Sequence, residues 1–198
     1  MRIGVVSDIH CNIAGLRRAV ELMGDVDELL CLGDSVYEFR FSNEVVGFLR
    51  EREAHVILGN HEDVLLGPHG ERARSRDNVD PGEVAWLAGQ PHERELHFGN
   101  TRILMVHSTP WRPFGTYVTP RSTELSRFGE VDADVVLYGH THQQLAQRVG
   151  EVLVVNPGSA GDARDHRNDR QLSYAVIDSE SVEVTITDFA DPQHERLP

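Results

Sequence analysis

Residues 1–10, Met1-Arg2-Ile3-Gly4-Val5-Val6-Ser7-Asp8-Ile9-His10, open the chain with an apolar run that breaks directly into metal-capable side chains. Residues 2–6 read as a buried strand, and Asp8 and His10 stand at its end. Asn12 to Met23 follows as a helix, with Ile13, Leu16, Ala19, Val20 and Met23 at helical spacing and Gly24 as its stop. The same pattern repeats. Residues 28–32 read as the second strand, with Leu29 to Leu32 running into Gly33-Asp34, and a helix follows over 42–50 capped by Ser42. Residues 54–58 read as the third strand, with Val56 to Leu58 running into Gly59-Asn60-His61-Glu62. This is a βαβαβ opening, hence a parallel sheet with right-handed crossovers.

Further along, Ile103 to Val106 runs into His107, and Val135 to Tyr138 into Gly139-His140-Thr141-His142. Ligands in open α/β sheets bind outside the carboxyl ends of the strands, so five such runs converge on one pocket. Between these landmarks, 61–80 reads as an irregular polar excursion and 81–87 as a short helix. Strands are expected at 93–98 and 102–106, joined by a Gly99-Asn100 hairpin turn. A proline-rich loop spans 107–120 and a helix 121–129. Later strands are expected at 134–138, 144–149, 152–155, 172–178 and 181–188, with 158–170 as a loop. No repeat or linker interrupts the 198 residues, so a single domain over 1–198 is expected.

The formal charge of −13 argues against a large nucleic-acid footprint. No apolar stretch reaches the roughly 20 residues of a membrane span, and Met1 enters a strand with no signal peptide ahead of it. Cys11 and Cys31 lack a CxxC partner and read as reduced thiols of a cytoplasmic protein.

The candidate ligands are Asp8, His10, Asp34, Asn60, His107, His140 and His142. Residues two apart in an extended segment point the same way, so Asp8 with His10, and His140 with His142, can each reach one ion. Two carboxylates, four imidazoles and one amide exceed what one zinc ion takes. They suit two divalent ions sharing a bridging carboxylate, and mixed N and O donors favour Mn, Fe, Zn or Co over Ca or Mg. Two such ions, two carboxylates and one hydroxide leave about one positive charge in the pocket, which suits a phosphate ester. His55, His69, His92, His97, His166 and His194 lack this context and read as ordinary surface or edge histidines.

Together these segments resemble the calcineurin-like metallophosphoesterases: Asp-x-His, Gly-Asp, Gly-Asn-His-Asp/Glu, a lone His and Gly-His-x-His occur here in order. The likeness covers about residues 1–160, including Asn156-Pro157-Gly158-Ser159, which resembles a late segment of small bacterial members. It implies an α/β (α+β) fold of two packed mixed β-sheets flanked by helices. It implies one metal on Asp8, His10, Asp34 and His142, and another on Asp34, Asn60, His107 and His140, with a bridging hydroxide attacking phosphorus in line. His61 then resembles the general acid that protonates the leaving oxygen. Where protein phosphatases carry Asp and Arg after the second motif, this chain has Tyr37 and Glu38, so no partner for His61 and no phosphate arginine is expected there. Glu62 or Asp63 can orient His61, or merely cap a loop. Cys11 stands where small bacterial members often carry glycine.

Asn12 can donate to a phosphate oxygen or cap the first helix. Trp111 can stack on a base or aryl group and Arg112 can meet a phosphate; alternatively Trp111 and Phe114 pack their loop onto the core. Arg72, Arg74 and Arg76 read as a solvated charge run. The expected activity is hydrolysis of phosphodiesters or small phosphorylated molecules, nucleotides among them. A phosphomonoesterase or nucleotide pyrophosphatase on the same site, and a non-catalytic scaffold, are the alternatives.

Overall fold

The computed structural model describes residues 1–193; His194 lies outside the described residues. Three opening strands, β1 (Arg2–Val6), β2 (Glu28–Cys31) and β3 (His55–Val56), pair in parallel. Helix α1 (Ile13–Met23) connects β1 to β2, and α2 (Asn43–Glu51) connects β2 to β3. Late in the chain, β9 (Leu172–Asp178) adds antiparallel to β1 and β10 (Glu183–Phe189) to β9. The first sheet therefore runs β10-β9-β1-β2-β3.

A second mixed sheet is built from β4 (Glu93–Phe98), β5 (Thr101–Val106), β6 (Val135–Leu137), β7 (Leu145–Val149) and β8 (Val152–Asn156). Its order is β4-β5-β6-β8-β7, parallel across β5-β6-β8 and antiparallel at both edges. Ile3, Val5, Leu30, Leu32 and Ile57 of the first sheet meet Ile103, Met105, Val135, Leu137 and Val155 of the second in one buried cluster. Two sheets packed face to face, each flanked outside by helical segments, is the architecture expected from the sequence. Burial of this layer is the main driving term of the fold.

On the outer face of the first sheet, Leu16, Ala19, Val20 and Met23 of α1 pack against Val45, Val46 and Leu49 of α2. The outer face of the second sheet is covered by the segment after β5, through Val118, Leu125 and Phe128, the latter two in a 3-10 helix over Thr123–Glu130. No helix among the described residues is long and apolar enough to cross a membrane.

The 61–80 segment is more regular than its composition suggests. It holds α3 (Asn60–Leu66), a 3-10 turn over Pro68–Gly70 and α4 (Glu71–Arg74), followed by α5 (Pro81–Ala88). The polar residues that disguise α3 are its first turn, where Glu62 reaches back to cap the helix. Arg74 is not solvated charge: its Nη1 donates to the carbonyls of Leu65 and Gly67 at 2.7 and 2.6 Å, closing the C-terminal end of α3. The third strand is shorter than expected because the chain leaves the ladder after Ile57, whose N–H still donates to the Cys31 carbonyl at 3.1 Å; the Leu58 N–H donates to the Pro91 carbonyl at 2.8 Å.

Candidate metal centre

Five of the seven sequence-identified ligands hold left-handed backbone: Asp8 (φ 53°), His10 (φ 50°), Asp34 (φ 51°), His140 (φ 66°) and His142 (φ 55°). Such conformations cost on the order of 1–3 kcal/mol each and persist where the surroundings over-determine them. The spacing of two in Asp8/His10 and His140/His142 therefore works through tight turns, not through the extended backbone expected. The surroundings are the neighbouring strand-end loops. Asp8, His10 and Cys11 donate their N–H groups to the carbonyls of Gly33, Asp34 and Ser35 at 3.0–3.1 Å. Gly59 and Gly139 allow these loops to touch. A Cβ on Gly59 would strike the Asp34 carboxylate, and one on Gly139 the Ser7 hydroxyl.

The side chains converge. His10 Nε2 faces His142 Nε2 at 3.1 Å, and Asp8 Oδ1 lies 3.3 Å from His142 Nε2 and 3.9 Å from His10 Nε2. Asp34 Oδ2 is 3.2 Å from His107 Nε2, which is 3.0 Å from Asn60 Oδ1. Asp8, His10 and His142 form one group whose ligand atoms all lie within 4.8 Å of one another, and Asp34, His107 and His140 form another. His10 and Asp34 also cluster with His61, which joins the two groups.

These residues fit divalent cations. Asp8 Oδ1 and His10 Nδ1 are buried and take no hydrogen bond, so the site holds electron pairs that no proton donor satisfies. The imidazoles are oriented from behind. His107 Nδ1 meets the Leu32 carbonyl at 2.7 Å, His142 Nδ1 the Asp162 carbonyl at 2.6 Å and His140 Nε2 the Gly115 carbonyl at 3.1 Å. Each carbonyl can only accept, so it fixes the proton on that nitrogen and leaves the opposite nitrogen free to ligate.

Charge is distributed accordingly. Burial raises the Asp8 pKa, but His142 and then His107 and His10 hold its carboxyl well below the usual range. Burial likewise opposes ionisation of Asp34, and His107 overcomes it, leaving that carboxyl below its ordinary value too. Burial pulls His10 down to about 4 against the pull of Asp8 and Asp34. His107 goes the other way, up to about 10, because Asp34 and Asp8 outweigh its burial, so a cation binding at its Nε2 would displace the proton shared there with Asp34.

Beneath the centre lies Glu62, fully buried. Its carboxylate accepts from the N–H groups of Asp34, Ser35 and Gly59 at 2.7–2.8 Å, from Val36 N–H at 3.2 Å and from the Ser35 hydroxyl at 2.7 Å. It ties the second loop to the third and is not directed at His61. Asp63 pairs instead with His92 at 3.5 Å. Glu38 stands against His61 Nδ1 with two groups, its backbone N–H, which donates to that nitrogen at 3.2 Å, and its carboxylate, contrary to the expectation that this position supplies no partner. A β-bridge between Tyr37 and Arg40 folds the loop back and brings Glu38 to the imidazole. His61 Nε2 points towards the centre, 3.8 Å from Asp34 Oδ2. Tyr37 stacks on His10 with centroids 4.6 Å apart, and Arg40 lies over Tyr37 at 5.0 Å.

The three candidate substrate contacts divide. Asn12 Oδ1 caps α1 by accepting from Gly15 N–H at 2.8 Å, and its Nδ2 donates to the Gly161 carbonyl at 3.2 Å and Asp191 Oδ1 at 3.3 Å, so its amide is engaged within the fold. Trp111 packs on Phe128 at 4.8 Å under Arg127 and belongs to the outer core. Arg112 lies over Phe114 at 4.8 Å, and both are exposed. Glu38 and Tyr37 escaped sequence reading because no periodicity marks a folded-back loop. Glu62 carried a legible signal, since a Glu at the third helical position after a glycine N-cap fits a capping box.

The model of the calcineurin-like phosphoesterase superfamily domain matches residues 1–182. A phosphodiesterase of Methanocaldococcus jannaschii is 28% identical over 162 residues, covering 80% of this chain and 83% of that protein. A metallophosphoesterase from Sphaerobacter thermophilus superposes with a TM-score of 0.80 at 23% identity, covering 98% of this chain and 91% of that one. Vps29 of Entamoeba histolytica, complexed with zinc, superposes with a TM-score of 0.60 at 22% identity, covering 94% and 90%.

Proposed function

Because the chain belongs to the calcineurin-like phosphoesterase superfamily, we propose that it hydrolyses phosphodiesters of small molecules, nucleotides among them, with two divalent metal ions. The observation that carries this reading is the pair of ligand groups joined through His10 and Asp34, with Asp8 Oδ1 buried and unsatisfied in one of them. Asp8, His10, Asp34 and His142 would hold one ion, and Asp34, Asn60, His107 and His140 the other. The imidazole, carboxylate and amide donors suit Mn, Fe, Zn or Co. When bound, the ions supply positive charge for the phosphoryl oxygens and hydroxide at neutral pH for in-line attack.

The chain's own residues do the rest. As the bond from phosphorus to the leaving oxygen breaks, His61 Nε2 delivers a proton to that oxygen, giving an alcohol and a phosphomonoester. Glu38 holds the opposite ring nitrogen through its backbone N–H and its carboxylate and fixes the plane of the imidazole. Tyr37, stacked on His10, walls the centre next to that ring. The measurement that tests the reading is metal content of the purified protein, with turnover of bis-p-nitrophenyl phosphate against p-nitrophenyl phosphate with and without added Mn. The expected result is about two ions per chain and faster turnover of the diester. Protein that binds no ions and leaves both compounds intact would refute it.

A further inference from the structure

A cleft of about 610 Å³ leaves the metal centre past Asn60 and His107. Neither His61, His10 nor Tyr37 lines it. The His61 ring faces His10, Tyr37 and Glu38 instead, so the proton donor and the cleft serve different substituents of a phosphorus held between them. Its apolar lining comes from Leu58, Val106 and Phe114, the last a ring that is 61% exposed. Single exposed hydrophobics are common on proteins, but this one lines a cavity that two candidate metal ligands also line.

We propose that this cleft takes the ester substituent that stays on phosphorus, and that its preferred occupant is a neutral aromatic group, above all a nucleoside. The proposal rests on the phosphodiesterase reading and adds a substrate class to it. Size admits the group, since clefts of roughly 300–1,000 Å³ enclose small ligands. The Arg112 guanidinium lies over one face of Phe114, 4.8 Å from the ring centroid, so a base can stack on the other face of the ring or on the flat guanidinium itself. Charge sets the preference against further phosphates. Asp63, paired with His92, and Glu93 line the cleft, and Arg112 is the single guanidinium there. A polyphosphate chain would meet two carboxylates against one guanidinium and one imidazole, whereas a neutral base meets none of that repulsion.

The test holds the leaving group constant. Thymidine 5′-p-nitrophenyl phosphate and methyl p-nitrophenyl phosphate both expel p-nitrophenolate, so their kcat/KM ratio reports the retained substituent alone. Stacking of one base predicts a ratio of about 10 in favour of the nucleoside ester, reduced towards 1 in Phe114→Ala. A second readout is calorimetric: thymidine 5′-monophosphate should bind the metal-loaded protein about 10-fold tighter than methyl phosphate, and Phe114→Ala should erase that margin. Equal turnover of the two esters, with a variant that behaves like the parent, would overturn the assignment and leave the phosphodiesterase reading standing. If neither ester is hydrolysed, the phosphodiesterase reading fails and calorimetry still judges the cleft: no margin for the nucleotide overturns it. A p-nitrophenyl ester of a diphosphate preferred over the nucleoside ester would also overturn it, by placing an anion subsite there.

Discussion

The floor of the site and its rim are built on opposite terms. On the floor, strand-end loops at Ser7–Asn12, Gly33–Val36 and Gly59–Glu62 lock together through backbone bonds, and Glu62 alone answers four N–H groups. On the rim, Arg112, Phe114 and Tyr117 stand exposed, held by Trp111 and Val118 behind them and by the contacts of Gly115 and Tyr117 with His140. Strained left-handed backbone concentrates on the floor, where bonds over-determine it. The contrast teaches that position of charge is fixed rigidly while shape for the organic group is left adjustable. Substitutions should obey that division: floor changes cost metal and stability, rim changes cost selectivity.

The largest effect is expected at Asp34, which groups with His107 and His140 on one side and with His10 and His61 on the other. Asp34→Asn keeps the volume and removes the shared charge, so bound metal should fall towards one ion per chain or less, and turnover by more than 100-fold, beyond what loss of an outer partner costs. Metal analysis by mass spectrometry alongside kcat checks this. Full occupancy by two ions in that variant would remove Asp34 from its bridging place. Next comes Glu62→Ala, which touches no metal. It strands buried N–H groups on Asp34, Ser35, Val36 and Gly59, at about 1–3 kcal/mol for each buried unmet group. A loss of at least about 3 kcal/mol, seen as a Tm lower by roughly 6–12 °C, is expected. A Tm within 2 °C of the parent would show that the floor is less locked than its bonds imply.

Removing the ions should also register on the floor. Chelation leaves Asp8 Oδ1 and the facing imidazoles of His10 and His142 without a cation, and it withdraws ligand stabilisation of about 2.7 kcal/mol at 100 times Kd. Thermal melting with and without chelator should differ by about 5–10 °C, restored by Mn or Zn. Glu38 sits between floor and rim. Glu38→Gln should slow esters with poor leaving groups by about 10-fold and p-nitrophenyl esters far less, since only the former need a proton. KM and metal content should stay level, and Glu38→Asp should recover part of the rate. An equal loss on both classes of ester would make Glu38 a structural residue.

The same division explains what the sequence disclosed. The floor was legible because its residues lie at the ends of apolar runs, and burial writes periodicity into sequence. Asp8, His10, Asp34, Asn60, His107, His140 and His142 stand at such ends, and the two sheets follow from the runs themselves. Hidden were the features set by tertiary fit. The left-handed turns at Asp8 and His10 leave no compositional mark, and α3 was masked by a first turn serving the site. Glu38 reaches His61 only because Tyr37 and Arg40 bridge, a contact between irregular residues. Phe114 and Trp111 have similar chemistry and lie three apart in one loop. Which faces the cleft and which the core depends on where the loop lands on Phe128.

That last pair gives the smallest and most discriminating test. Trp111 is partly buried between Phe128 and Arg127, so Trp111→Ala removes an anchor of the rim without reaching the floor. Fully buried Trp→Ala changes cost about 3–5 kcal/mol, and this partly buried ring should cost about 2, a Tm drop of roughly 4–8 °C. Trp111→Phe should recover most of it, because a smaller ring still packs on Phe128. Metal content should be unchanged in both. If Trp111→Ala instead kept the parental Tm and abolished the preference for a nucleoside ester, the indole would be the stacking surface. The rim would then be anchored elsewhere, and the division of labour between Trp111 and Phe114 would be the reverse of the one their surroundings support.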